Sequence, residues 1–206
     1  MSVAIFIPSL GRPQQLSALI SDITNANPEV AIYPIVEETD IDSHIGNFII
    51  NTRSSSYAGC INTAYENTKE DYFFMGSDDI RFYDGWLNAA LPLCHTNVVG
   101  TNDLHNPDVL AGNHSTHSLV ARSYIEHFGG TADGSFPVLY EYEHNYCDTE
   151  FIQTAISRKK FVMSAAKVEH MHWCWGFANK DKTYSKGFNA DKRDLRVFES
   201  RRHLWS

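Results

Sequence analysis

Within this 206-residue chain, the stretch Tyr72-Phe73-Phe74-Met75-Gly76-Ser77-Asp78-Asp79-Ile80 constrains the fold most. Four bulky apolar residues in a row suit a strand covered on both faces, as central strands of parallel sheets are. The run stops at two adjacent carboxylates. Ligands of open α/β sheets collect at the carboxyl ends of strands, so Asp78 and Asp79 stand where a divalent cation and an anionic ligand would meet. Magnesium or manganese held by one or two carboxylates keeps its other positions for water and phosphate oxygens, which points to a nucleotide diphosphate. An Asp turn or a helix cap after a strand is the plainer use of the same residues.

The flanking sequence alternates strand and helix. Residues 3–7 read as a first buried strand, followed by the loop Pro8-Ser9-Leu10-Gly11-Arg12 and a helix-starting Pro13. Leu16, Leu19, Ile20 and Ile23 then recur at helical spacing. Residues 30–36 form a second strand closed by Glu37-Glu38, residues 48–50 a third, and Ile61, Ala64 and Tyr65 mark a helix leading into the strand before Asp78. Beyond it, the pattern predicts a helix from Asp84, a strand at 98–100, a polar loop over 101–116 and a strand at 118–120. A short helix at 123–127, a longer one at 148–157 and two further strands at 161–163 and 167–172 follow. This order predicts one α/β domain with a largely parallel sheet flanked by helices.

Composition adds two constraints. The 43% hydrophobic content is that of a globular domain, and no apolar run approaches the roughly 20 residues that span a bilayer. The N-terminus lacks the basic and apolar regions of a signal peptide, so a soluble, cytoplasmic protein with reduced, widely spaced cysteines is expected. The net charge of -8 is uneven: from Arg158 to Ser206 twelve Lys or Arg stand against five Asp or Glu. A basic final quarter suits either an anionic ligand or a solvated helix face.

The order of these features resembles the GT-A glycosyltransferases, particularly the small family-two-like enzymes of bacteriophages. The resemblance runs from Val3 to about Trp173. It rests on Ile7-Pro8-Ser9 with Arg12, on Gly59 and Asn62 ahead of Gly76-Ser77-Asp78-Asp79, and on His117 through Arg122 to Gly129-Gly130. Asp148-Thr149-Glu150 and the late pair His170 and His172 complete it. It implies a single Rossmann-like GT-A domain over residues 1–206, with a basic C-terminal segment from about residue 174 closing over the donor. Pro8, Ser9, Arg12, Glu37, Asn62 and Asp78 are then nucleotide-sugar contacts. Asp78 is the metal carboxylate with Asp79 in support, although Gly76 stands where the family's DxD-type pattern has its first Asp. His170 or His172 joins the metal, Mn2+ or Mg2+.

Asp148 is implied as the general base that deprotonates an acceptor hydroxyl in an inverting transfer from a UDP-sugar, with Cys147 where the family has Glu. As a helix N-cap, Asp148 would have only a structural part. The histidines could equally form a hydrogen-bonded pair, or a zinc site with Cys174 and either Cys147 or His144. The absence of a Gln-x-x-Arg-Trp segment disfavours a processive synthase. A 5-hydroxymethylpyrimidine in phage DNA is one acceptor, with Trp173, Trp175, Phe177 and Tyr184 as stacking candidates; a surface glycan or protein is the other. A metal-dependent nucleotidyltransferase or phosphohydrolase, and a non-catalytic nucleotide-sugar-binding module, stay open.

Overall fold

The computed structural model describes residues 1–27, 29–44 and 46–205. The apolar runs become the strands β1 (Val3–Ser9), β2 (Ala31–Val36), β3 (Ile49–Ile50) and β4 (Tyr72–Met75), separated by α1 (Pro13–Ala26) and α2 (Tyr57–Asn67). Ala4 to Ile7 of β1 and Phe73 and Phe74 of β4 are wholly buried, and Phe6 stacks on Phe73 with ring centroids 5.1 Å apart. Such strands cannot sit at a sheet edge or face water. Pro13 opens α1, where a missing N–H costs nothing, and Leu16, Leu19 and Ile23 turn its apolar stripe to the sheet. Ser56 caps α2 by accepting from the Gly59 N–H at 3.0 Å.

The remaining elements are β5 (Ile80–Phe82), α3 (Trp86–Ala90), β6 (Val98–Asn102), α4 (Pro107–Leu110), β7 (Ser118–Ala121), α5 (Arg122–Phe128), α6 (Cys147–Ser157), β8 (Phe161–His170) and α7 (Lys182–Arg201). The eight strands form one sheet in the order β3-β2-β1-β4-β7-β6-β8-β5, with only β7 and β5 running against the rest. The carboxyl ends of β1, β2, β4, β6 and β8 therefore share one edge with the start of β7. That edge carries the site.

Three expectations change. The strands predicted at 161–163 and 167–172 are one strand, β8, whose pairing with β6 shifts register between Gly100 and Asn102. It ends at His170, so His172 lies beyond it in the cap of a 3₁₀ turn, Trp173–Trp175. The polar loop 101–116 contains the short helix α4. Residues 80–82, to which the sequence pattern gives no element, pair antiparallel with β8, Ile80 opposite His170 and Phe82 opposite Val168. No helix among the described residues is long and apolar enough to cross a membrane.

Candidate active site

The strand ends enclose a cavity of about 290 Å3, lined among others by Pro8, Ser9, Arg12, Glu37, Asp78, Asp79, Asp148, His170 and His172. Residues scattered over most of the chain thus meet in one cavity. Asp78 and Asp79 leave β4 in different directions. Asp78 accepts from the Ser9 hydroxyl at 2.8 Å and from Arg12 Nη1 at 2.9 Å. Asp79 accepts from the Tyr184 hydroxyl at 2.9 Å and the Ser77 hydroxyl at 2.5 Å, with His170 Nε2 3.3 Å from its Oδ2. Ahead of them, Gly76 lies close against β1, where a Cβ would stand 3.0 Å from the Phe6 carbonyl oxygen.

Their electrostatics diverge accordingly. Burial drives the Asp78 carboxyl up to about 6, with the charge of Asp79 adding to it, against the opposing pull of Arg12 and Ser9. Burial acts on Asp79 too, but the hydrogen bond and charge of His170 outweigh it and hold this carboxyl far below the usual range. His170 is correspondingly raised against its own burial. His172, desolvated beside His170, falls to about 4 and stays neutral. His117 is also pushed down to about 4 by burial. Its Nδ1 lies 3.1 Å from the Met75 carbonyl, which can only accept, so the hydrogen is on Nδ1 and Nε2 faces the Ser77 hydroxyl at 3.3 Å.

Two carboxylates, neighbouring imidazoles and room for other oxygens make a donor set for a hard divalent cation. Among the described residues no three His, Cys, Asp or Glu side chains converge closely enough to hold a metal by themselves. A cation shared with a diphosphate does not require that; a closed structural zinc site does. Of the alternative zinc ligands, Cys174 and His172 do meet, Sγ to Nδ1 at 2.9 Å, but Cys147 is buried with its thiol toward the His144 carbonyl. Among the described residues, neither Arg12 Nη2 nor the Tyr57 hydroxyl, both buried, has a hydrogen-bond partner. Both residues line the cavity, where phosphate or sugar oxygens would satisfy them.

Asp148 opens toward the same cavity from the first turn of α6. It is not the N-cap: Tyr146 takes that position with a left-handed φ of 68°, and Asp148 follows Cys147 inside the helix. Its Oδ2 lies 3.2 Å from His114 Nε2, a residue of the polar loop that sequence patterning left without a role. Burial would raise this carboxyl, yet the bond and charge of His114 lower it below the ordinary value.

The C-terminal segment forms one side of the cavity through α7. Lys186 donates to the Ser55 carbonyl at 2.6 Å, Thr183 donates to the Leu10 carbonyl at 3.0 Å, and Asp181 accepts from Arg12 Nε at 2.7 Å. Four of the twelve Lys and Arg from Arg158 onward serve the fold. Arg158 binds the Gly129 and Thr131 carbonyls, and Arg201 grips Glu150 and Asp133. Arg193 pairs with Glu143, and Lys180 lies over the Trp173 and Phe188 rings. Lys186 is the one C-terminal cation among the lining residues. Two placements differ from expectation. Asn62 is behind the wall: its amide donates to the Leu139 carbonyl and Glu141 and accepts from the Val138 and Leu139 N–H groups, so it holds a loop and not a ligand. Tyr184 is buried under Arg12, whose guanidinium carbon lies 4.0 Å from its ring, so that face is closed to a base.

No protein-family model matches this chain, and no curated protein matches its sequence significantly. Solved structures do. A mannosyltransferase from Pyrobaculum calidifontis, in complex with GDP-Man and Mn2+, superposes with a TM-score of 0.54 at 12% identity, over 92% of this chain and 68% of its own. Drosophila β1,4-galactosyltransferase 7, as a mutant with manganese, UDP-Gal and xylobiose, gives 0.52 at 13% identity over 90% and 79%. Glucosyl-3-phosphoglycerate synthase from Mycobacterium tuberculosis, with Mg2+ and UDP, gives 0.60 at 8% identity over 87% and 72%. The chain has the GT-A glycosyltransferase fold. Within this GT-A domain the carboxylate pair lies in the turn between β4 and β5, and Asp148 stands at the start of α6, beside the same cavity.

Proposed function

We propose that this GT-A protein is a metal-dependent glycosyltransferase moving one sugar from a UDP-sugar to an acceptor hydroxyl with inversion. The observation that carries the reading is the single cavity that joins the Asp78–Asp79 pair to Asp148. Asp78 and Asp79, with His170 or His172, would hold Mn2+ or Mg2+, which when bound offsets charge on the departing diphosphate. Pro8, Ser9 and Glu37 border the nucleotide. Arg12, with one unpartnered guanidinium nitrogen, and Lys186 face its phosphates. Asp148 accepts the acceptor's proton while that oxygen bonds to the anomeric carbon and the diphosphate leaves. The three neighbours' own ligands, GDP-Man, UDP-Gal and UDP with Mn2+ or Mg2+, support a nucleotide-sugar donor.

A nucleotidyltransferase or phosphohydrolase would also place carboxylates at a strand end, and its product separates it from a sugar transferase. For the acceptor, the net charge of -8 favours a glycan or protein hydroxyl over phage DNA, a polyanion that an acidic chain repels. Trp175 and Phe177 remain exposed as a platform for a sugar ring. The reading is tested with a panel of nucleotide sugars and Mn2+ or Mg2+, following hydrolysis and transfer by mass spectrometry. Slow metal-dependent release of UDP from at least one donor is expected; inertness toward every donor, with no nucleotide binding, refutes the proposal.

A further inference from the structure

Asp148 has an unassigned partner. His114 Nε2 lies 3.2 Å from Asp148 Oδ2, and the histidine side chain is the more deeply buried, at 12% exposed against 27%. Asp148 borders the cavity and His114 backs it, outside the set of lining residues among those described. The other carboxylate oxygen, Oδ1, accepts from the Thr149 N–H at 2.8 Å. With one oxygen fixed by backbone and the other by imidazole, the carboxylate has little freedom to rotate, and its unshared lone pairs have a fixed direction.

We infer that His114 is a positioning residue of the transfer step, orienting Asp148 and keeping it ionised to receive the acceptor's proton. This rests on the glycosyltransferase reading. In the step the acceptor O–H bond breaks and its proton goes to Asp148, the new bond forms to the anomeric carbon, and the bond to the diphosphate breaks. His114 keeps its own proton throughout.

The surrounding charges agree with this role. Asp148 first, then Asp103 and Asp108, hold His114 above its ordinary value against burial, so the imidazole is charged where the carboxylate titrates. His117 adds a smaller downward pull on Asp148. Tyr57 and Cys147, the other ionisable neighbours, are driven far up by burial and stay neutral. His144 and His170 feel the same carboxylate from the opposite walls.

The test compares His114→Gln, which keeps a donor without the charge, with His114→Leu, which keeps neither. Calorimetry with UDP and Mn2+ should give affinities within about twofold of wild type for both, because His114 lies off the donor. For transfer, His114→Gln should keep its plateau kcat within about fivefold while the acid limb of the pH profile moves up by about one unit. His114→Leu should lose about 10- to 100-fold in kcat with little change in acceptor KM. Independently of turnover, the Asp148 carboxyl carbon, followed by NMR, should titrate at higher pH in His114→Gln than in wild type. If it titrates at the same pH and the kcat profiles are unchanged, His114 only ties the loop to α6 and the inference is overturned. If the titration moves but wild type transfers no sugar from any donor it binds, the glycosyltransferase reading falls and takes this role with it. Should His114→Leu fail to fold, the His114→Gln profile and titration decide alone.

Discussion

At Asp78 a guanidinium already sits where a metal carboxylate is proposed. Arg12 Nη1 is 2.9 Å away, and Arg12 is itself steadied by Asp181 and the Tyr184 ring. A divalent cation therefore competes with Arg12 for one carboxylate, and Arg12→Gln should have effects of opposite sign. Mn2+ affinity without nucleotide should rise several-fold, while UDP affinity in the presence of Mn2+ should fall about tenfold, roughly 1.4 kcal/mol, on loss of a phosphate contact. Calorimetric titrations of metal and of nucleotide separate the two. Asp78→Asn should weaken metal-dependent UDP binding by at least about tenfold; equal affinity with and without metal in wild type would remove Asp78 from the proposed site.

The same side chain gives a stability test. Its folded value, about 6, lies above the ordinary 3.8, so the folded state binds this proton more tightly than the unfolded chain. Its contribution to stability is therefore present below about pH 4 and is lost as pH rises through 6. Melting curves should show Asp78→Asn gaining on wild type as pH goes from 4 to 7. A constant difference in Tm would show that Asp78 titrates normally. At this scale the sequence was informative where the chemistry is local. Two carboxylates after an apolar run announce a strand-end site, but nothing in a residue string links His114 to Asp148, because a loop and a helix bring them together from 34 positions apart.

Among the elements, β1, β2, β4, α1 and α2 were legible because each carries an uninterrupted apolar run or a 3.6-residue stripe. The pairing of β5 with β8, and the unity of β8, were not. Three residues carry no periodicity, and β8 is half-buried without alternation over 161–164 and more deeply buried only after Ala165, across a register shift, so it reads as two short strands. Helix α7 was seen only as a run of charge. Its buried face, Tyr184, Gly187, Ala190 and Asp194, contains one large side chain and no aliphatic stripe, so hydrophobic patterning passes over it.

What docks α7 is polar and steric. Asp194, 3% exposed, accepts from the N–H groups of Glu143, His144 and Asn145 at 2.8–2.9 Å, fixing the loop that leads into α6. Gly187 lets the helix pass over His144, whose ring a Cβ would meet at 2.3 Å. Asp194→Ala leaves three backbone donors without an acceptor and should cost about 3 kcal/mol. Denaturant unfolding checks the magnitude, and protease cleavage within 141–147 reports the released loop. A loss under about 0.5 kcal/mol would mean that water replaces the carboxylate without penalty.

For the whole molecule, the net charge opposes a polyanion. The chain carries a net charge of -8, and the C-terminal cations described above largely bind carboxylates, carbonyls and rings. Fluorescence anisotropy with a labelled duplex at about 0.1 M salt should therefore show no retention at micromolar protein. Tight, steeply salt-dependent binding would restore the DNA acceptor.

The contact between Arg12 and Asp181 closes a separation of 169 residues. The walls of the cavity extend from Pro8 to Lys186. A chain leaving the ribosome at about 5–20 residues per second has its first strands exposed for many seconds before α7 exists to meet them. Through that interval Arg12 and Asp79 lack their α7 partners, and the cavity has no fourth side. On the proposed function, capture of metal and nucleotide therefore waits for α7, and ligand retention by stalled nascent chains should appear only once Lys186 has emerged.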